Sequence, residues 1–415
     1  MTQRVDPHEA GFHAERLARV DAFIEAEVAA RRLPGAVLGI VRGGALVRLD
    51  AFGMRDPQTG APMTTDTLFW LASMTKPVTA VGALLLVESG ELILEEAVGD
   101  YLPEFRDRRV ADPETLEERP AARQPTVLDL MRHTAGIPEG LLGRTALHAR
   151  YAEAVGNGMT ELDGSEFVAR LAALPLLADP GTLWHYGFGF DLVGQIVESL
   201  TSDTLGAFLT QRLFAPLGMT DTRFGDPGAD LDRLAMPLAR DPLTGAPQRI
   251  PDLARARFDS GGAGLVGTAG DYLAFLRMLL AKGEGPTGRS GGHAFPECLT
   301  QVKHSGNAGR VLGRKTVELM LADALEPQTD TRLLERPGWN PGHGFGLGVA
   351  VRRASGGGAT TPGSAGEVTW PGSSGAFWWA DPAEDLGVVF LTHTPSRLQL
   401  RYWQQIKSLV LQALR

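Results

Sequence analysis

The sequence predicts an α+β fold: an antiparallel sheet built from both termini and flanked by helices, with a mostly helical lobe inserted between. Two observations predict it. Branched and apolar runs of strand length cluster near both ends of the chain, whereas residues from about 100 to 280 show mostly helical spacing. Each end also carries an amphipathic stretch long enough to cover one face of such a sheet. The expected organisation is a single domain over 1–415, with an α/β lobe of about 1–70 and 330–415 and a helical lobe of about 71–329.

Residues 12–31 place Phe12, Leu17, Val20, Phe23, Ile24 and Val28 at helical spacing, and Pro34-Gly35 ends that helix. Two strands, 36–41 and 45–52, are separated by Gly43-Gly44 and read as a hairpin. A helix over 73–89 stops at Gly90, and further helices are expected at 126–133, 164–174, 190–200, 204–214 and 270–281. Residues 283–310, rich in glycine and polar side chains, read as a long loop. Strands return at 345–352, 367–370, 376–380 and 386–392, and a last helix over 397–414 offers Leu398, Trp403, Ile406, Leu409, Val410 and Leu414 to the core.

A formal net charge of −9, with acidic residues interspersed among many arginines, excludes the basic surface of a nucleic-acid binder. The longest apolar run, 81–87, is too short to span a bilayer. The single cysteine, Cys298, allows no intrachain disulfide. Together with an N-terminal stretch that shows no apolar leader, this points to the cytoplasm. Cys298 lies in a glycine-rich stretch with no basic neighbour to activate it, and reads as an incidental thiol.

Three segments carry chemistry. The first is Ser73-Met74-Thr75-Lys76, between an aromatic approach and an apolar helix; of five lysines only Lys76 has a serine three residues before it. Residues three apart share a helix face, so the two side chains can touch. Negative charge at Ser73 would be favoured by the helix N-terminus, and Pro77 is tolerated in a first turn. A lysine enclosed in an apolar cleft can give up its proton at neutral pH and activate a serine without histidine. On the tetrapeptide alone, a serine cap followed by a solvated lysine is the simpler account.

The second segment runs from Pro180-Gly181 through Trp184-His185-Tyr186-Gly187-Phe188 into a helix, which sets Tyr186 on a loop beside a helix start. A tyrosine hydroxyl flanked by an ammonium can relay a proton, although a core tyrosine is the simpler account of any single one. The third, Glu367-Val368-Thr369-Trp370-Pro371-Gly372-Ser373-Ser374-Gly375, reads as a strand and a glycine-rich break before the next strand. Pro371 cannot donate to a ladder, so an edge strand is expected. An edge amide beside a cleft can face a developing oxyanion; a plain hairpin turn explains the pattern as well.

These segments fall in one order with PGAVLGIVRGG, TVLDLMRHTAGI, FAPLGMTDT and SGGAGLVGTAGDYLAFLRMLL. Together they resemble the serine β-lactamase and penicillin-binding-protein superfamily over nearly the whole chain, and most of all class C β-lactamases and family VIII carboxylesterases. The resemblance implies an acyl-enzyme on Ser73, with Lys76 and Tyr186 as the base system and the amides of Ser73 and Ser373 as the oxyanion hole. It implies no metal and no cofactor.

The chain departs from the β-lactamase pattern twice. Phe188 stands where Tyr-x-Asn has asparagine, and Trp370-Pro371-Gly372 stands where Lys-Thr-Gly is usual. The absent lysine and threonine would grip a substrate carboxylate, and charge-assisted hydrogen bonds are the stronger ones to lose. The expectation is a serine hydrolase of small, uncharged carboxylic esters with short acyl chains. Trp370, Gly372, Phe188 and His185 would surround a small-molecule ester, with no nucleic-acid or membrane partner. The same acyl-enzyme would serve an acyltransferase, an amide or D-peptide hydrolase, or a weak β-lactamase. A catalytically silent binding domain predicts damage to the Ser73, Lys76 and Tyr186 set, and all three are present.

Other patterns carry less. Gly288-Arg289-Ser290-Gly291-Gly292 fits G-x-S-x-G without the strand and helix of a nucleophile elbow. Gly262-Ala263-Gly264-Leu265-Val266-Gly267 fits a dinucleotide pattern without a preceding apolar strand, and reads as tight backbone before the 270–281 helix. The spacing of His293, Cys298 and His304 matches no zinc site, and His133 reads as structural.

Overall fold

The computed structural model describes residues 4–415 except 157, 226–227, 287–308, 337–338 and 357. Ser290, His293, Cys298 and His304 therefore lie outside the described residues, as does most of the 283–310 loop.

The expected hairpin forms from Gly35–Arg42 and Ala45–Asp56, and its first strand pairs with Leu386–Leu391, Val37 lying opposite Leu391. The full antiparallel sheet runs Ala61–Pro62, Ala45–Asp56, Gly35–Arg42, Leu386–Leu391, Phe377–Asp381, Val368–Thr369, Ala350–Arg352, His343–Phe345. Both ends of the chain thus build one sheet. Its central strands are apolar on both faces and need two covers. Leu38, Ile40, Val388 and Phe390 pack with the terminal helices Ala14–Ala29 and Leu398–Leu411. Val37, Val41, Val389 and Leu391 join the larger core that includes helices Thr75–Ser89 and Ala269–Leu280.

Three local expectations are corrected. The 345–352 run is two strands, because Gly346-Leu347-Gly348 turns out of the ladder: Leu347 N donates to Met320 O and Gly348 N to Met131 O. Those acceptors are carbonyls at the ends of helices Arg314–Met320 and Val127–Met131, which lack intrahelical donors. Gly348 has φ +87°, which disfavours any side chain, and a Cβ there would crowd Phe190 at 3.0 Å and Ala80 at 3.2 Å. Second, Val368–Thr369 is an interior strand paired on both sides, not an edge; Pro371 is tolerated because pairing stops at Thr369. Third, Ser73 sits in a 3-10 turn, Ala72–Met74, and the α-helix begins at Thr75.

The 126–133, 164–174, 190–200 and 270–281 helices are present as Val127–Met131, Gly164–Ala172, Gly189–Thr201 and Ala269–Leu280. Unanticipated is a small sheet in which Leu265–Gly267 pairs with both Phe69–Trp70 and Arg223–Phe224, tying the glycine-rich 260–267 segment to the chain that leads into Ser73. Among the described residues no helix is long and apolar enough to cross a membrane.

Candidate active site

Ser73 is presented by a strained turn. Ala72 has φ +49°, a region a residue with a Cβ rarely occupies, and it is fully buried. Thr75 Oγ1 donates to Ala72 O at 2.7 Å and accepts from Leu265 N at 3.1 Å, which holds the turn in place. One turn of helix then carries Lys76 back toward Ser73, with Nζ 3.4 Å from Oγ. Lys76 is 4% exposed, and its other hydrogen bond goes to Gly262 O at 2.8 Å.

Tyr186 arrives from the helical side. Its segment is pinned by His185 N to His133 O and by Glu139 N to Tyr186 O. The hydroxyl lies 2.5 Å from Ser73 Oγ, and Lys76 Nζ stands 4.5 Å from the ring centre. The ring packs on His133 at 4.8 Å and on Trp370 at 5.4 Å. His133 has φ +58° and is buried, and burial, aided by the charge of Lys76, keeps its imidazole well below the usual pKa. A neutral ring under Tyr186 fits the structural reading of His133.

The sheet supplies the opposite wall. Trp370 is buried among Phe345, Trp184, Trp339 and Tyr186. The backbone of Gly372 lies against Leu71, where a Cβ would come within 2.5 Å of Leu71 O. That close approach sets Ser373 beside the Ser73 turn. Gly372 N and Gly375 N are engaged in the local turn, whereas the Ser373 amide has no partner among the described residues.

Ser73, Lys76, Tyr186, Phe188, Trp370, Gly372 and Ser373 all border one cleft of about 720 Å³. His185, expected to border the substrate, does not. The backbone that aims Tyr186 at Ser73 sends the preceding side chain the other way, against His148, with the two Nε2 atoms 3.2 Å apart. Burial lowers its pKa to about 4.

Sequence reasoning missed two carboxyl groups in this cleft. Asp191 and Glu139 are both raised in pKa by burial, opposed by the positive charge of Lys76. Apart from Lys76 they are the only charged side chains among the lining residues described. It also missed Trp339, Gln399 and Trp403, which reach the cleft from the loop before the last strands and from the terminal helix. Only the Ser260-Gly261-Gly262 run, beside a helix carrying Asp191, offered a signal. Among the described residues no group of His, Cys, Asp and Glu is placed to hold a metal ion.

A family profile described as Beta-lactamase matches residues 20–409. Esterase EstB of Burkholderia gladioli is 35% identical over 290 residues, which is 65% of this chain and 71% of that protein. Lovastatin esterase of Penicillium rubens is 30% identical over 291 residues, 63% of this chain and 68% of that protein. Among solved structures, EstCE1, described as a hydrolase with promiscuous acyltransferase activity, superposes with a TM-score of 0.75 at 26% identity, covering 95% of this chain and 98% of that one.

Proposed function

Since the chain belongs to the Beta-lactamase family, with esterases and acyltransferases among its relatives, we propose that it is a carboxylesterase of the family VIII type acting on uncharged esters. The observation that carries the reading is the contact set at Ser73: Tyr186 OH at 2.5 Å and Lys76 Nζ at 3.4 Å, with no histidine hydrogen-bonded to the serine among the described residues.

Ser73 Oγ attacks the ester carbonyl and its proton passes to the Lys76–Tyr186 pair. The amides of Ser73 and Ser373 hold the tetrahedral oxyanion. The C–O bond to the leaving alcohol breaks as Tyr186 returns the proton to that oxygen, leaving an acyl-Ser73 ester. Water then attacks the acyl carbon by the same route in reverse, releasing the carboxylic acid and restoring the Ser73 hydroxyl.

Selection for uncharged substrates is supported by the wall charges. The cleft offers two carboxyl groups and one lysine already engaged with Ser73 and Gly262, and Trp370 in place of a free cation. A substrate carboxylate would be desolvated there without a partner. The volume of about 720 Å³, with Phe167, Phe188, Phe258 and Met159 among the lining residues, has room for acyl groups bulkier than the short chains expected above as well as for short ones. Acyl transfer to an alcohol is a second reading, favoured by the likeness to EstCE1. Hydrolysis of p-nitrophenyl butyrate by wild type and Ser73→Ala, with nitrocefin alongside, tests the proposal. Ester turnover that vanishes in the variant and outpaces nitrocefin supports it; full activity in Ser73→Ala refutes it.

A further inference from the structure

We propose that Asp191 is a positioning residue for this reaction: through the glycine-rich 260–263 segment it fixes the carbonyl that holds Lys76. The inference rests on the reading of Ser73, Lys76 and Tyr186 given above.

Asp191 lies in the first turn of helix Gly189–Thr201 and is 6% exposed. Its Oδ1 accepts from Ser260 Oγ at 2.5 Å and from Gly262 N at 3.2 Å. The carbonyl of that same Gly262 receives Lys76 Nζ at 2.8 Å. One carboxyl oxygen therefore orients the residue whose other end orients the lysine. The rest of the segment is fastened to the nucleophile's own elements: Thr79 Oγ1 donates to Gly261 O at 2.8 Å, and Trp70 Nε1 donates to Ala263 O at 2.6 Å.

The contact also explains the glycine. A Cβ on residue 262 would lie 2.4 Å from Asp191 Oδ2, so backbone and carboxyl can meet only where no side chain intervenes. Among the described residues Lys76 Nζ has hydrogen bonds to Ser73 Oγ and Gly262 O alone. Loss of the Gly262 anchor leaves the ammonium free to swing off the Ser73–Tyr186 pair. Removing Asp191 would also strand two buried donors, Ser260 Oγ and Gly262 N, which would move to find partners.

The test compares Asp191→Ala, Asp191→Asn and Gly262→Ala in the full chain on p-nitrophenyl butyrate, with thermal melting of each variant. Wild-type turnover and its loss in Ser73→Ala first establish the site itself, so failure of that reading shows separately. Asp191→Ala is expected to lose ~100-fold in kcat with KM within ~3-fold, because misplacing a proton-transfer group costs rate before binding. Asparagine keeps an Oδ1 acceptor for both donors, so Asp191→Asn is expected to recover kcat to within ~5-fold of wild type. Gly262→Ala, which keeps Asp191 but pushes the carbonyl away, is expected to fall with Asp191→Ala. Should Asp191→Ala fail to fold, Gly262→Ala and Asp191→Asn decide alone. Full kcat in Gly262→Ala, or Asp191→Asn as impaired as Asp191→Ala at an unchanged melting temperature, overturns the inference.

Discussion

The hydroxyl of Tyr186 lies 2.5 Å from Ser73 Oγ, although 113 residues separate the two in the chain. One comes from the 3-10 turn before helix Thr75–Ser89 and the other from the loop before helix Gly189–Thr201. The pair forms only when the two parts pack, so the proposed chemistry is a property of the assembled fold.

Ser73→Ala is expected to abolish p-nitrophenyl butyrate hydrolysis and labelling by an alkyl-phosphonate probe. Tyr186→Phe keeps the ring packing on His133 and Trp370 but removes the hydroxyl, and is expected to lower kcat/KM by ~100-fold or more, the usual worth of a positioned proton-transfer group. Steady-state kinetics and intact-mass analysis of probe adducts check both.

Gly372→Ala would set a Cβ 2.5 Å from Leu71 O and push the Ser373 amide away from Ser73. A loss of ~100-fold in kcat is expected, the cost of one oxyanion donor. Burst kinetics that separate acylation from later steps would show the loss in acylation.

Glu139→Gln removes a carboxyl that has no hydrogen-bond or salt-bridge partner among the described residues but borders the cleft. Repulsion of an anionic substrate should weaken, so kcat/KM for mono-p-nitrophenyl succinate relative to the butyrate is expected to rise by ~3–10-fold, falling with added salt. An unchanged ratio would remove Glu139 from the charge selection proposed above.

Asp129 is fully buried and accepts from Arg123, Arg132, Thr126 and Thr134, closing the capping box of helix Val127–Met131. Asp129→Ala leaves the buried Arg132 without its nearest carboxylate partner, and a loss of about 3–5 kcal/mol is expected. Because the next turn carries His133 under Tyr186, activity should fall along with stability. Urea denaturation measures the first and residual kcat the second.

Burial raises the pKa of Asp271 to about 6, against hydrogen bonds from Thr222 Oγ1 and Asp221 N. The folded state therefore holds a proton that the unfolded chain releases near its ordinary carboxyl pKa. This contribution to stability is present at low pH and is lost as pH rises from about 4 to about 6. It is worth on the order of 2–3 kcal/mol across that window. Asp271→Asn carries no such titration, so the difference in unfolding free energy between wild type and variant should change across the window by that amount.

The sheet built from both termini is legible in the sequence, because strand-length runs of branched and apolar residues and a Gly-Gly turn are local signals. The neighbourhood of Ser73 and Lys76 is legible too, because residues three apart in a helical turn share a face. The sequence could not place Tyr186 within reach of Ser73, nor turn His185 away toward His148, because both depend on how a loop from one part docks on the other. The interior position of Val368–Thr369 was likewise a matter of pairing partners, since proline limits only the residue that must donate. Asp191 and Glu139 carried no motif. Their importance arises from the low-dielectric cleft they share with Lys76, and that burial exists only once sheet and helices close around it.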